Sequence, residues 1–242
     1  MALAAAFVLT FVLLGVGSGS TGLGDALQNA FKFGSGGTSI GKLEKKVEKH
    51  PQDANAWHDL ATAYEQKQRP QDAVTALERY TALRPKDASG LDELASQYSS
   101  LAQTYATDYQ NAQADAQAAS PSTAFAPSST STFGKVFNDP NGLQDPIGAV
   151  IASQAQQREQ TAYSNYQGAQ KNAESTFQKL AKLTPADVTV QYQLGLAASQ
   201  ARDFKVAVAA YTKFLKLSPN DVEAPQVKQL LKAARAQLSA SG

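Results

Sequence analysis

The stretch that decides the fold runs from His50 to Tyr98: HPQDANAWHDLATAYEQKQRPQDAVTALERYTALRPKDASGLDELASQY. A proline followed two residues later by aspartate occurs in it twice, at Pro51–Asp53 and Pro85–Asp87, and returns at Pro185–Asp187 and Pro219–Asp221. Between the first two, apolar side chains recur at helical spacing. Leu60 and Tyr64, then Ala73, Leu77 and Tyr80, form one stripe on each of two helices. The polar run QKQRPQD separates them, and Pro70 suits the first turn of the second helix, where its missing N–H loses nothing. Small residues, Ala61 with Ala73 and Gly195 with Ala207, let two antiparallel helices approach closely. Proline cannot extend the preceding helix, and aspartate caps the next by accepting from its free N–H groups. Each phrase is thus a mechanical joint between helical pairs.

Counting from Ala54 as position 1, Trp57 falls at 4, Leu60 at 7, Ala61 at 8, Tyr64 at 11, Ala73 at 20, Leu77 at 24, Tyr80 at 27 and Pro85 at 32. This pattern resembles the tetratricopeptide repeat, with a departure at position 27, where a small residue is usual. A later unit counted from Val188 gives Leu194, Gly195, Ala207, Tyr211, Phe214 and Pro219 at the matching places, and departs at Gln191 and Ala198. A single pair cannot bury its own stripes, so neighbours must stack and end helices must cap. Residues 39–50, with Leu43, read as the second helix of a preceding unit. Residues 222–240 read as a capping helix, Val227, Leu230, Leu231 and Leu238 on one face and Lys228, Lys232 and Arg235 on the other. The expected fold is an all-α helix-turn-helix solenoid over 39–242, with repeats at 54–87, 88–187 and 188–221.

The joint prolines are spaced by 34, 100 and 34, and the middle interval is 34 plus 66. The middle unit opens with Leu91, Leu94, Ala95 and Tyr98 and closes with Ala173, Phe177, Leu180 and Pro185. Sixty-six residues therefore interrupt it, over about 102–168. The stripe continues into this insertion through Leu101, Tyr105, Tyr109 (or its neighbour Asp108), Ala112 and Ala116. It returns through Ile147, Ile151, Ala155, Ala162, Tyr166 and Ala169. Both helices of the unit are expected to lengthen into an antiparallel hairpin with a narrow, coiled-coil-like seam. At its tip SPSTAFAPSSTST is irregular by composition. Beyond it Phe133, Val136, Phe137 and Leu143 either fold back to close the tip or form a candidate contact for a partner protein or bilayer surface.

The only strongly apolar run is Ala2–Val16, within MALAAAFVLTFVLLGVG, followed by the flexible GSGSTGLG. Residues 1–17 are expected to be a membrane anchor or signal segment, and 18–38 a Gly/Ser-rich linker. The downstream lysines at 32, 42, 45, 46 and 49 would by themselves place this flank in the cytoplasm. Basic residues upstream of the given start would reverse that, and the expectation is a single-pass protein with its repeats extracytoplasmic. Over 242 residues the chain carries 22 basic and 21 acidic side chains, no cysteine and two histidines, His50 and His58. Net charge of +1 offers no footprint for nucleic acid. Without cysteine there are no disulfides, thiolate metal sites or cysteine nucleophiles. The glycine runs GVGSGSTGLG and GSGGTSIGK follow no strand and lack phosphate-loop spacing. No cofactor, metal or catalytic residue is expected, and the chain is not expected to be an enzyme.

The resemblance implies a binding scaffold instead. First helices of such repeats line a concave groove, with positions 2, 5, 9 and 12 facing the ligand. Carried onto this chain they are Asn55, His58, Thr62 and Glu65; Ser89, Asp92, Ser96 and Ser99; and Thr189, Tyr192, Leu196 and Ser199. Versions that clamp a terminal carboxylate have lysine and asparagine at positions 5 and 9. His58 and Thr62 hold those places here, so that capture is not implied. The expected partners are other proteins or peptide segments, with the oligomeric state left open. The expected role is a membrane-anchored adaptor, or alternatively an assembly or chaperone-like factor resembling those of cytochrome c maturation or secretion.

Overall fold

The computed structural model describes residues 39–119, 132 and 146–240. The expected membrane segment 1–17, the linker 18–38 and the tip residues Phe133, Val136, Phe137 and Leu143 lie outside them. Among the described residues there are eight helices and no strand: α1 (Ile40–Lys49), α2 (Ala54–Gln66), α3 (Pro70–Leu83), α4 (Ala88–Ala119), α5 (Pro146–Leu183), α6 (Val188–Gln200), α7 (Phe204–Leu217) and α8 (Ala224–Ala240). All belong to one compact unit, Ile40–Gly242.

The four joints are built alike. The backbone N–H groups of His50, Arg84, Thr184 and Ser218 bond back four residues into the ending helix. Three residues on, Asp53, Asp87, Asp187 and Asp221 each donate a backbone N–H to those same four residues. The aspartate carboxylates then accept from the next helix: Asp53 from Ala56, Asp187 from Val190, Asp87 from Ser89 and Gly90, and Asp221 from Glu223. Such caps contribute about 1 kcal/mol each. The turn inside a pair uses another device: Gln68 and Arg202, both at position 15, take left-handed φ values of 56° and 61°. In the middle unit that position is Ala102, which is buried within α4, and the helix runs on.

The apolar core clusters across seams between pairs as well as within them. Leu43 and Val47 of α1 join the cluster of α2, α3, Leu94, Tyr98 and Ala173. Leu91, Ala95 and Phe177 of the middle pair share one with Val190, Leu194 and Ala210 of the last. Tyr211 and Phe214 share one with Val227, Leu231 and Ala234 of the cap. Ala61, Ala73, Ala95, Ala198 and Ala207 are fully enclosed, which is where paired helices approach most closely.

The interrupted unit is a single hairpin: α4 and α5 pack against each other along their length. At 32 and 38 residues they measure about 48 and 57 Å, against about 20 Å for α2. Inward residues follow a seven-residue rhythm, with Tyr98, Ala102, Tyr105, Tyr109, Ala112 and Ala116 on α4 and Ala155, Ala162, Tyr166, Ala169 and Ala173 on α5. Tyr109, not Asp108, turns inward, its ring centroid 5.1 Å from that of Tyr163. Ile151, expected in the seam, is 52% exposed, because the rhythm back from Ala155 selects Ala152 instead. Leu238, expected on the buried face of the cap, is 40% exposed in the last turn, and Ala234 completes that face. Trp57 is only half-buried: its indole N–H donates to the Pro51 carbonyl at 2.9 Å, which holds the ring edge at the surface.

Tyr80, too large for position 27 in the usual pattern, is accommodated by a glycine. A methyl at Gly90 would overlap the Tyr80 ring, and the phenol donates to Asp87. Gly195 makes the same allowance for Tyr211, which is fully enclosed. Gly90→Ala and Gly195→Ala are each expected to cost about 1–3 kcal/mol in urea unfolding. Gly168→Ala, on an open face of α5 with no neighbour near the added methyl, should instead stabilise by about 0.5–1 kcal/mol.

Candidate functional site

The residues assigned to the ligand-facing positions lie on α2, α4 and α6, and the structure gives them different surroundings. One group ties helices together. His58 Nε2 lies 2.8 Å from Glu93 Oε2, and its ring sits 4.9 Å from that of Tyr80. Glu65 accepts from Gln97 Nε2 at 2.7 Å. Asn55 accepts from Arg84 Nη2 at 3.2 Å. Tyr192 stacks against Phe214 at 5.8 Å, and its hydroxyl accepts from Gln226 of the cap at 3.4 Å.

Three hydroxyls in the set turn back on their own helices. Thr62 donates to the His58 carbonyl, Ser99 to that of Ala95 and Ser199 to that of Gly195. Ser199 also meets the Tyr211 hydroxyl at 3.2 Å. Leu196 is half-buried. What reaches solvent is a smaller group: Asp92, Ser96, Thr189 and Ser89, with Asn55, which is exposed while also accepting from Arg84.

Two residues outside the assigned set complete this face, Glu93 and Gln97. They follow positions 5 and 9 by one residue, and that offset turns them toward α2. Positions 6 and 10 of α4 are therefore where the preceding first helix, α2, is met.

The electrostatics of the face are acidic. Partial burial and the neighbouring Glu93 push the Glu65 carboxyl above the ordinary carboxylate range, opposed by His58 and the Gln97 amide. The surrounding protein and the nearby Asp187 do the same to Asp92. Where α4 passes the turn between α2 and α3, an open notch of about 510 Å³ is lined by Glu65, Gln68, Arg69, Gln97 and Thr104. Among the described residues no three histidine or carboxylate side chains gather as a metal-binding group, and no helix is long and apolar enough to cross a membrane.

Residues 43–96 match one tetratricopeptide repeat model and residues 188–221 match another. With the all-helical stack, these matches support a tetratricopeptide repeat protein. The matched stretches cover α2 with α3, and α6 with α7. Most of the split repeat lies between them, because its two helices are too far apart in sequence to be read as one unit. No curated protein matches the chain significantly.

The His58–Glu93 pair bridges two repeats but is partly open to water, with side-chain exposures of 41% and 27%. A double-mutant cycle of His58→Ala with Glu93→Ala is expected to give a coupling of roughly 0.2–1 kcal/mol. Several kcal/mol would mean that the pair is a fixed strut.

Proposed function

We propose that this chain is a protein–protein interaction scaffold, without catalytic activity of its own, that holds an extended peptide segment or partner helix on the face of α2, α4 and α6. The observation that carries this is the exposed polar group Asn55, Asp92, Ser96 and Thr189, presented on first helices whose spacing is set by the ties beneath. Extended segments and helices docking on a repeat surface draw specificity from such side chains, placed on rigid elements. The apolar run Ala2–Val16 supports a tether to a membrane, and the reading extends to repeats held outside the cytoplasm. Partners would then be proteins at the same surface.

A second reading makes the arm the contact element. It is favoured by Val150 and Ile151, which expose 54% and 52% of their surface near the start of α5.

Crosslinking of the full-length protein in its native membrane, read by mass spectrometry, tests both. Scaffolding through the face predicts crosslinks from partner peptides to residues near 55–65, 92–99 and 189–199, reduced by Ser96→Arg with Thr189→Arg. Crosslinks confined to the arm would favour the second reading, and crosslinks confined to α3 and α7 would overturn both. Removing residues 1–17 should release the protein from sedimenting membranes; continued sedimentation would sink the tether.

A further inference from the structure

The second helices carry a charge pattern that the apolar stripes do not explain. Position 26 is basic in all four of them, as Lys45, Arg79, Lys179 and Lys213, at spacings of 34, 100 and 34. In the last two, α5 and α7, two further lysines keep the same register. Lys171 matches Lys205 at position 18, and Lys182 matches Lys216 at position 29. Helix α3 has Gln71 and Ala82 at those places. Helix formation and burial need no lysine there, so the recurrence asks for another cause.

Five of these six lysines are exposed and Lys213 is half-buried. Positions 18 and 29 fall within about 20° of each other around a helix and lie about 17 Å apart along it. On α7 they stand opposite the buried Ala207, Tyr211 and Phe214, and on α5 opposite Ala173, Phe177 and Leu180. Phe177 and Leu180 share an apolar cluster with Ala210, so the two helices belong to one layer with its lysines outward. Among the described residues none of the six forms an ion pair. Nearby carboxylates are spoken for: Glu174 is buried, and Asp187, Asp203 and Asp221 cap helices. Neither α7 nor α8 contains an acidic residue. The first helices show the reverse, since α2, α4 and α6 hold six carboxylates between them and no lysine or arginine. A net charge of +1 therefore conceals two layers of opposite sign.

We propose that the lysine face of α5 and α7 rests on an anionic lipid bilayer, with the acidic first-helix face turned away from it. All six groups are lysine, a mobile point charge that suits a fluid field of headgroups. Fixed carboxylates and phosphates on a macromolecule favour the arginine fork. Ser175, Ala209 and Thr212 lie between the lysines, so the face offers no aromatic ring on which bases could stack. The choice of a bilayer rests on the tether read from Ala2–Val16, which would keep the repeats beside one. Each lysine near such a surface favours the docked state about fivefold, and the attraction fades within a Debye length, about 10 Å at 0.1 M salt.

The chain has no cysteine, so one can be introduced and labelled alone. Full-length protein carrying Ser175→Cys, among the lysines, or Ser96→Cys, on the first-helix face, is reconstituted into two kinds of vesicle. One is phosphatidylcholine, and the other replaces about a third of it with phosphatidylglycerol. Energy transfer from the label to a headgroup dye should rise at 175 and not at 96 when phosphatidylglycerol is present, and the rise should vanish in about 0.5 M salt. Changing all six lysines to glutamine should abolish it, and changing all six to arginine should preserve it. No rise at 175 in the native protein, an equal rise at 96, or an undiminished rise in the glutamine variant would overturn the proposal. So would a rise lost in the arginine variant, or lysine crosslinks to an acidic protein or nucleic acid without any response to phosphatidylglycerol. Neutral vesicles keep the two readings apart: a chain that binds only the anionic ones loses the tether and retains the lysine face.

Discussion

A pair of helices with one apolar stripe apiece cannot cover itself, and the rest of this structure follows from that constraint. Among the described residues α1 stands without a first helix, and its Leu43 and Val47 are buried in a cluster with side chains of α2 and α3. The last pair is in turn covered by α8, whose Val227 is fully enclosed while its lysines stay wet. Stability here is a sum over seams, as expected of a stack in which each unit meets only its neighbours. The joints set the geometry and the seams supply the burial.

That arrangement explains why the chain tolerates an insertion of 66 residues. The interruption falls at position 15, the left-handed turn residue in the other two units, the one place in a pair where no seam passes. Ala102 takes a helical conformation there, and the two helices continue outward as a hairpin that buries its own narrow line of alanine and tyrosine. The seams on either side keep their register, since Leu91, Ala95, Phe177 and Leu180 are undisturbed.

The joints were legible in sequence because capping is local: proline, aspartate and three intervening bonds need nothing from elsewhere. The split unit was legible through spacing alone. Features that depend on accumulated phase were not. A rhythm of 3.5 residues diverges from one of 3.6 by about 20° per heptad, and over the length of the arm that is enough to replace Ile151 by Ala152. Features that need two separated helices side by side were also hidden. Glu93 and Gln97 acquire their role only when α4 stands beside α2, and Tyr80 looks like a misfit until Gly90 of the next unit is placed under it.

Since α4 and α5 leave the stack with no turn at their root, the arm behaves as a rigid spoke whose bearing is geared to the repeats. Removing one residue from either helix would swing everything beyond it by about 100° and pull it in by 1.5 Å. Removing seven from each would retract the tip by about 10 Å and leave its compass direction nearly unchanged. Relatives differing in spoke length by whole heptads would therefore keep the same outward side, and length alone could set how far from the repeats a contact is made.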